Sequence, residues 1–144
     1  MIFGSGEETA AFGARLAAAS QSGDVITLSG PLGVGKTTLV RGFLAGLGHQ
    51  DEVPSPTFAI VQPYEALEPP AWHVDLYRLE DPSELAELGL DGAVDAVLLI
   101  EWPERAGGDA WPDALRLSLD FAEAGARCLT AQVPPAWEGR WPPA

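Results

Sequence analysis

The sequence predicts an α/β domain on a mixed central sheet, and three observations support that expectation. VITLS at 25–29 and AVLLI at 96–100 are short, nearly all-apolar runs, the pattern of strands buried on both faces. TAAFGARLAAAS and KTTLVRGFLAGLG instead carry apolar residues at helical spacing: Phe12 with Leu16, then Leu39 with Phe43 and Leu47. Strand and helix patterns also alternate along the chain. That order argues for helices layered on a sheet, three layers in one domain.

Each element has its own start and stop signals. SGEE at 5–8 fits a capping box, with Ser5 as cap and Glu8 three residues on. Gly23 and Asp24 end the first helix, VITLS follows, and Gly48 closes the second helix. PSPT at 54–57 holds the backbone extended through two prolines. FAIVQPY and AWHVDLY read as strands joined by the proline-rich ALEPP. DPSELAELG at 81–89 reads as a short helix capped by Asp81, with Pro82 in its first turn, Glu84 completing the box and Gly89 as the stop. AVLLI ends abruptly in Glu101. The alternating LRLSLDF at 115–121 and CLTAQV at 128–133 predict a closing antiparallel hairpin. Residues 1–133 thus form one domain, and PPAWEGRWPPA at 134–144 is a Pro/Trp-rich tail expected to fray, unless Trp137 and Trp141 dock on a partner.

Composition narrows the function classes. The 144 residues carry a formal net charge of −13, a surface that repels phosphodiester backbones, so direct binding to tRNA or DNA is not expected. The single cysteine, Cys128, allows no internal disulfide, which fits a reducing cytoplasm. The acidic start lacks the layout of a secretion signal, and no apolar run has the length to cross a membrane.

Lys36 is the only lysine in the chain, and it lies in GPLGVGKTT. Gly30, four residues, then Gly35, Lys36 and Thr37 match G-x-x-x-x-G-K-[ST], the phosphate-binding P-loop, between a buried strand and a helix as that motif requires. Glycines let the loop bring bare N–H groups against phosphate oxygens, and the helix start adds its positive end. Lys36 supplies a mobile ammonium for the terminal phosphates, the Thr37 hydroxyl a Mg²⁺ ligand, and Thr38 a contact to an inner phosphate. The expected fold is therefore a three-layer P-loop NTPase-like domain, and the expected ligands are a nucleoside triphosphate and Mg²⁺.

Mg²⁺ on a triphosphate takes one or two protein carboxylates. Glu101, at the end of AVLLI, stands where P-loop proteins place the Walker-B acid, although an acid at a strand end can also be merely solvated. Asp75 in WHVDLYR is the second candidate, with a surface acid as the alternative. Ser55 and Thr57 in PSPT have the hydroxyls of a γ-phosphate switch, or form an ordinary turn. Arg78 is an internal arginine finger or a partner of neighbouring acids. His49 and His73 lack metal-ligand spacing.

Together, GPLGVGKTTLVRGFLAGLG, SPTFAIVQPYE, HVDLYRLEDPSELAELGL and LLIEWPER resemble, in the same order, four motifs of the bacterial TsaE (YjeE) family. The resemblance implies a cytoplasmic ATPase needed for threonylcarbamoyladenosine synthesis on tRNA, working with the TsaB–TsaD heterodimer, with TsaD performing the transfer to adenosine. It implies that Gly33, Val34, Gly35, Lys36 and Thr37 hold the phosphates, that Thr37 and Glu101 hold Mg²⁺, and that Asp75 is the other essential acid. It places Thr57 in a switch and Trp102 beside the metal acid. It makes Arg127 a late arginine on the nucleotide, and sets Thr9 where the N-terminal segment approaches the base. Pro31 departs from the acid common in the family after the first glycine, and removes one amide donor.

The resulting expectation is an ATPase with Lys36, Asp75 and Glu101 as its catalytic groups, slow without its partners. The alternatives are a non-catalytic nucleotide-dependent adaptor and a small-molecule kinase. The kinase is disfavoured by scattered arginines, which form no lid-like cluster. A GTPase would need a second lysine for its guanine-reading N-K-x-D motif.

Overall fold

The computed structural model describes residues 1–50, 53, 60–107 and 110–143. A short strand β1 (Ile2–Phe3) leads into helix α1 (Gly6–Ala19). The Ser5 hydroxyl accepts from the Glu8 N–H, and the Glu8 carboxylate reaches back to the Gly4 N–H. The capping box forms, with its return bond one residue upstream of the usual place. Strand β2 (Val25–Ser29), the glycine loop and helix α2 (Lys36–Gly46) follow as the sequence predicts. Then come β3 (Val61–Tyr64), β4 (Ala71–Asp75), β5 (Val97–Glu101), β6 (Leu115–Phe121) and β7 (Arg127–Gln132).

Among the described residues, seven strands form one sheet in the order β1-β7-β6-β2-β5-β4-β3. β6, β2, β5 and β4 run parallel, while β7, β1 and β3 pair antiparallel towards the edges. The sheet is thus mixed, and β6 with β7 is the expected closing hairpin. A parallel arrangement puts the carboxyl ends of β2, β5 and β4 along one edge, where open α/β sheets gather ligand-binding groups.

The two faces are covered differently. Ile26, Leu28, Val97, Leu99, Leu115, Leu117 and Leu119 share one core cluster with Phe12 and Leu16 of α1 and Leu39 and Phe43 of α2. The two helices approach until their backbones meet: a Cβ built on Gly42 would stand 2.0 Å from the Ala10 carbonyl oxygen, so only glycine fits there. On the opposite face, Val74, Leu98 and Ile100 pack under Leu76, Leu79, Ala93 and Ala96. That third layer is made of short turns. Over β2, β6 and β7 the same face carries Thr27, Arg116, Ser118, Thr130 and Gln132 and forms an open groove of about 540 Å³.

One expectation is refined and one needs correction. The 81–89 segment is a 3₁₀ helix over Pro82–Leu88, with the Asp81 carboxylate accepting from Ser83 N–H and Gly89 left-handed at its end. It buries no residue fully. Leu85 and Leu88 pack only partly buried against the core of that face, and a stretch this short has little to favour α geometry. The terminal stretch does not fray. Trp137 is only 1% exposed within the helical-face core, and Trp141 stands edge-on to Phe12 at 5.9 Å. Arg140 grips Asp24 with two bonds of 2.8 and 3.1 Å and stacks on Trp137. Two indoles and a bidentate ion pair outweigh the entropy of ordering so few residues.

Candidate functional site

The site lies where β2, β5 and β4 end beneath the start of α2. Leaving β2, the chain turns through Gly30 at φ +147°, where a Cβ would lie 2.3 Å from the Leu119 carbonyl oxygen. Gly35 caps α2 in left-handed backbone at φ +116°, which side-chain-bearing residues rarely adopt. No side chain caps α2, and the first N–H groups of a helix have no partner within it, which makes such a helix start suited to an anion. The Val34 N–H closes the loop on the Pro31 carbonyl at 3.3 Å.

Lys36 begins α2 and is only 4% exposed. Its ammonium donates to the Gly30 carbonyl and lies 3.6 Å from the centre of the Trp102 ring. Burial pushes its pKa below the usual lysine range, against the pull of the negative charges on Glu101, Glu104 and Asp75. Trp102 follows Glu101 directly and is itself left-handed at φ 59°, unusual for a bulky side chain. Its N–H is fixed by the Leu28 carbonyl at 3.2 Å, and its indole meets the Tyr77 ring at 5.0 Å.

Strand parity and register assemble the acids. Asp75 of β4 pairs with Glu101 of β5, which pairs in turn with Leu28 of β2. Ala71, Val97 and Leu99 belong to the helical-face core, so His73, Asp75 and Glu101, sharing their parity, project towards α2. Glu101 is 2% exposed. Its two carboxylate oxygens accept from the Thr37 hydroxyl at 3.3 and 3.2 Å, and one also accepts from His73 Nε2 at 2.6 Å. Asp75 accepts from the Tyr77 N–H at 2.9 Å. Burial raises its carboxyl above the usual range, the nearby Glu101 charge adding to the rise and the Tyr77 N–H, His73 and Lys36 opposing it.

The remaining candidates fall in different places. Arg127 donates from Nε to the Val34 carbonyl at 2.9 Å and stacks on Phe121, so it braces the glycine loop from the start of β7. Thr9 is buried, with Cγ2 3.9 Å from where a Cβ on Gly35 would stand. Thr38 follows Thr37 on α2, partly buried. Ser55 and Thr57 lie outside the described residues. His73 is the residue that motif spacing misses. Its signal was the two-residue step to Asp75, which puts both on one strand face.

Chemically, this is a cluster of bare amides, one buried ammonium, one hydroxyl and two carboxylates at a helix start. Thr37 and Glu101 offer hard oxygen donors side by side, which fits Mg²⁺ held by one or two protein ligands. Fold and site together define a P-loop NTPase-like domain.

A family model for the threonylcarbamoyl adenosine biosynthesis protein TsaE matches residues 3–129. The Streptomyces coelicolor TsaE is 45% identical over 76% of this chain and 77% of its own length. The Haemophilus influenzae TsaE is 46% identical over 67% of this chain, and the match spans 63% of that relative's length. The crystal structure of Bacillus subtilis YdiB superposes with a TM-score of 0.82 at 32% identity, over 96% of this chain and 88% of that one. The chain belongs to the TsaE family. Among the described residues no helix is long and apolar enough to cross a membrane.

Proposed function

We infer that the chain is the ATP-binding and hydrolysing subunit of threonylcarbamoyladenosine modification of tRNA, acting in the cytoplasm with a TsaB–TsaD pair. The observation that carries this reading is the convergence of Lys36, Thr37 and Glu101 at the strand edge, on a chain of this family. In it, loop amides from Gly33 to Lys36 and the Lys36 ammonium bind the phosphates, with Thr38 on an inner one, and Thr37 and Glu101 hold Mg²⁺. When present, Mg²⁺ supplies charge neutralisation on the phosphate oxygens. Asp75 orients the attacking water, a role supported by its register next to Glu101 and its raised pKa. Arg127 and Thr9 border the nucleotide, and Ser55 and Thr57 supply the switch. To reach the phosphates, the Lys36 ammonium must leave the Gly30 carbonyl and the Trp102 face. That rearrangement fits slow turnover by the isolated chain.

The experiment is phosphate release by this chain alone and mixed with TsaB and TsaD. The reading expects hydrolysis stimulated by the pair, and Asp75→Ala that binds ATP but does not turn it over. Binding without phosphate release in the mixture would replace it with the adaptor reading. Phosphate transfer to a nucleoside or sugar would replace it with the kinase reading.

A further inference from the structure

His73 is fully buried, yet only one of its ring nitrogens is bonded. Nε2 donates to Glu101 at 2.6 Å, while Nδ1 has no partner among the described residues. A buried ring nitrogen without a partner costs about 1–3 kcal/mol, so an apolar side chain of similar size would serve this core position better. Packing alone does not account for the imidazole.

Its one bond is more informative. Glu101 and Lys36 carry opposite charges near one another in a largely water-excluded place, the condition in which they would be drawn into a direct ion pair. They do not form one. The ammonium is bound to the Gly30 carbonyl and the Trp102 face, and the carboxylate to His73 and Thr37. His73 reaches Glu101 from β4, on the same sheet face, and pins one carboxylate oxygen.

We propose that His73 is a positioning residue, anchoring the Glu101 carboxylate beside the Thr37 hydroxyl and away from the Lys36 ammonium. The anchor does two things. It keeps an oxygen pair, one from Thr37 and one from Glu101, ready for a divalent cation. It also keeps Lys36 free of a carboxylate that would compete with phosphate. This rests on the reading of the site as a Mg²⁺–nucleotide site, and deepens it: the histidine acts through Glu101 and touches no ligand itself.

The test compares ADP binding by calorimetry, with Mg²⁺ and with EDTA, in the full chain and in His73→Leu and His73→Gln. Leucine fills the core without a donor, and glutamine can return an N–H near the place of Nε2. Wild type should bind ADP more tightly with Mg²⁺; if it binds no ADP at all, the nucleotide reading itself fails. His73→Leu should lose about tenfold to a hundredfold of the Mg²⁺ enhancement, the usual cost of removing a group that orients a metal ligand. His73→Gln should restore most of it, whatever the thermal stabilities of the two variants. In a Glu101→Gln background, His73→Leu should change the Mg²⁺ enhancement no further. A folded His73→Leu with the wild-type enhancement overturns the proposal. So does an equal loss in both variants, or a further loss in the Glu101→Gln background. Should His73→Leu fail to fold, His73→Gln carries the test: it must retain the enhancement in the wild-type background.

Discussion

The two faces of the sheet follow different rules. The helical face is closed by α1, α2 and the terminal tryptophans, and its interior is mostly apolar until it nears the strand ends, where Lys36, His73 and Glu101 are buried together. The opposite face is covered only over β4 and β5, by short turns, and lies open and polar over β2, β6 and β7. Buried charge is costly, so it is found where the fold can surround it with partners. The helical layer supplies those partners by resting the start of α2 on the carboxyl ends of three strands. The open face is built on the same strands and gathers hydroxyls, but it collects no comparable set of buried, mutually bonded ionisable groups among the described residues.

Substitutions can break that contrast. The largest effect belongs to the core of the helical face. Trp137→Ala should cost about 3–5 kcal/mol in denaturant unfolding, since the indole is almost wholly enclosed, yet leave ADP affinity unchanged in the folded protein. Unaltered stability would mean that the terminal stretch is not part of the closure. At the strand ends the effect should move from stability to binding. Lys36→Ala should weaken ADP binding by about a hundredfold, the loss of one or two charge-assisted bonds at about 1.5–3 kcal/mol each, with little change in melting temperature.

Asp75→Asn should have a smaller effect of opposite sign. The native carboxyl has a raised pKa, so the folded protein holds that proton more firmly than the unfolded chain. Stability is therefore lost as pH rises from 3.8, the ordinary aspartate value, through the native pKa. Asparagine has no such charge and can still accept from Tyr77. The variant should melt slightly higher than wild type at neutral pH, and the gain should vanish below the ordinary aspartate range, as thermal melts across pH would show. A gain that persisted in acid would assign it to packing rather than to the buried charge. The smallest effect belongs to the open face. Ser118→Ala should shift stability by less than about 0.5 kcal/mol and leave ADP binding intact; a loss of binding would show that the open face also serves the nucleotide.

The parts of this design differ in how plainly the sequence displays them. Strand β2, the glycine loop and α2 are consecutive in the chain, and each depends on local signals: an apolar run, glycines at φ values closed to other residues, and helical spacing. Glu101 was visible because an acid interrupts an apolar run at its end. His73 was not, since its role depends on β4 lying beside β5 in a register that no local pattern states. Trp137 was hidden for a related reason. Its Pro- and Gly-rich surroundings have the composition of a loose end, and it is buried in a cluster with α1 and under Arg140, which Asp24 holds from more than a hundred residues earlier. The 3₁₀ form of 82–88 was not legible either, because capping residues mark where a helix starts and stops and not how tightly it winds.

The central claim is that a lone buried ammonium, bare loop amides and the Thr37–Glu101 oxygen pair hold a Mg²⁺–nucleotide at the edge of the sheet. Calorimetric titration of ATP and ADP into the folded chain, with Mg²⁺ present, tests it most directly. Saturable binding at one site, weakened about a hundredfold in Lys36→Ala, is the predicted result. No heat from either nucleotide, or undiminished binding by Lys36→Ala, would contradict it.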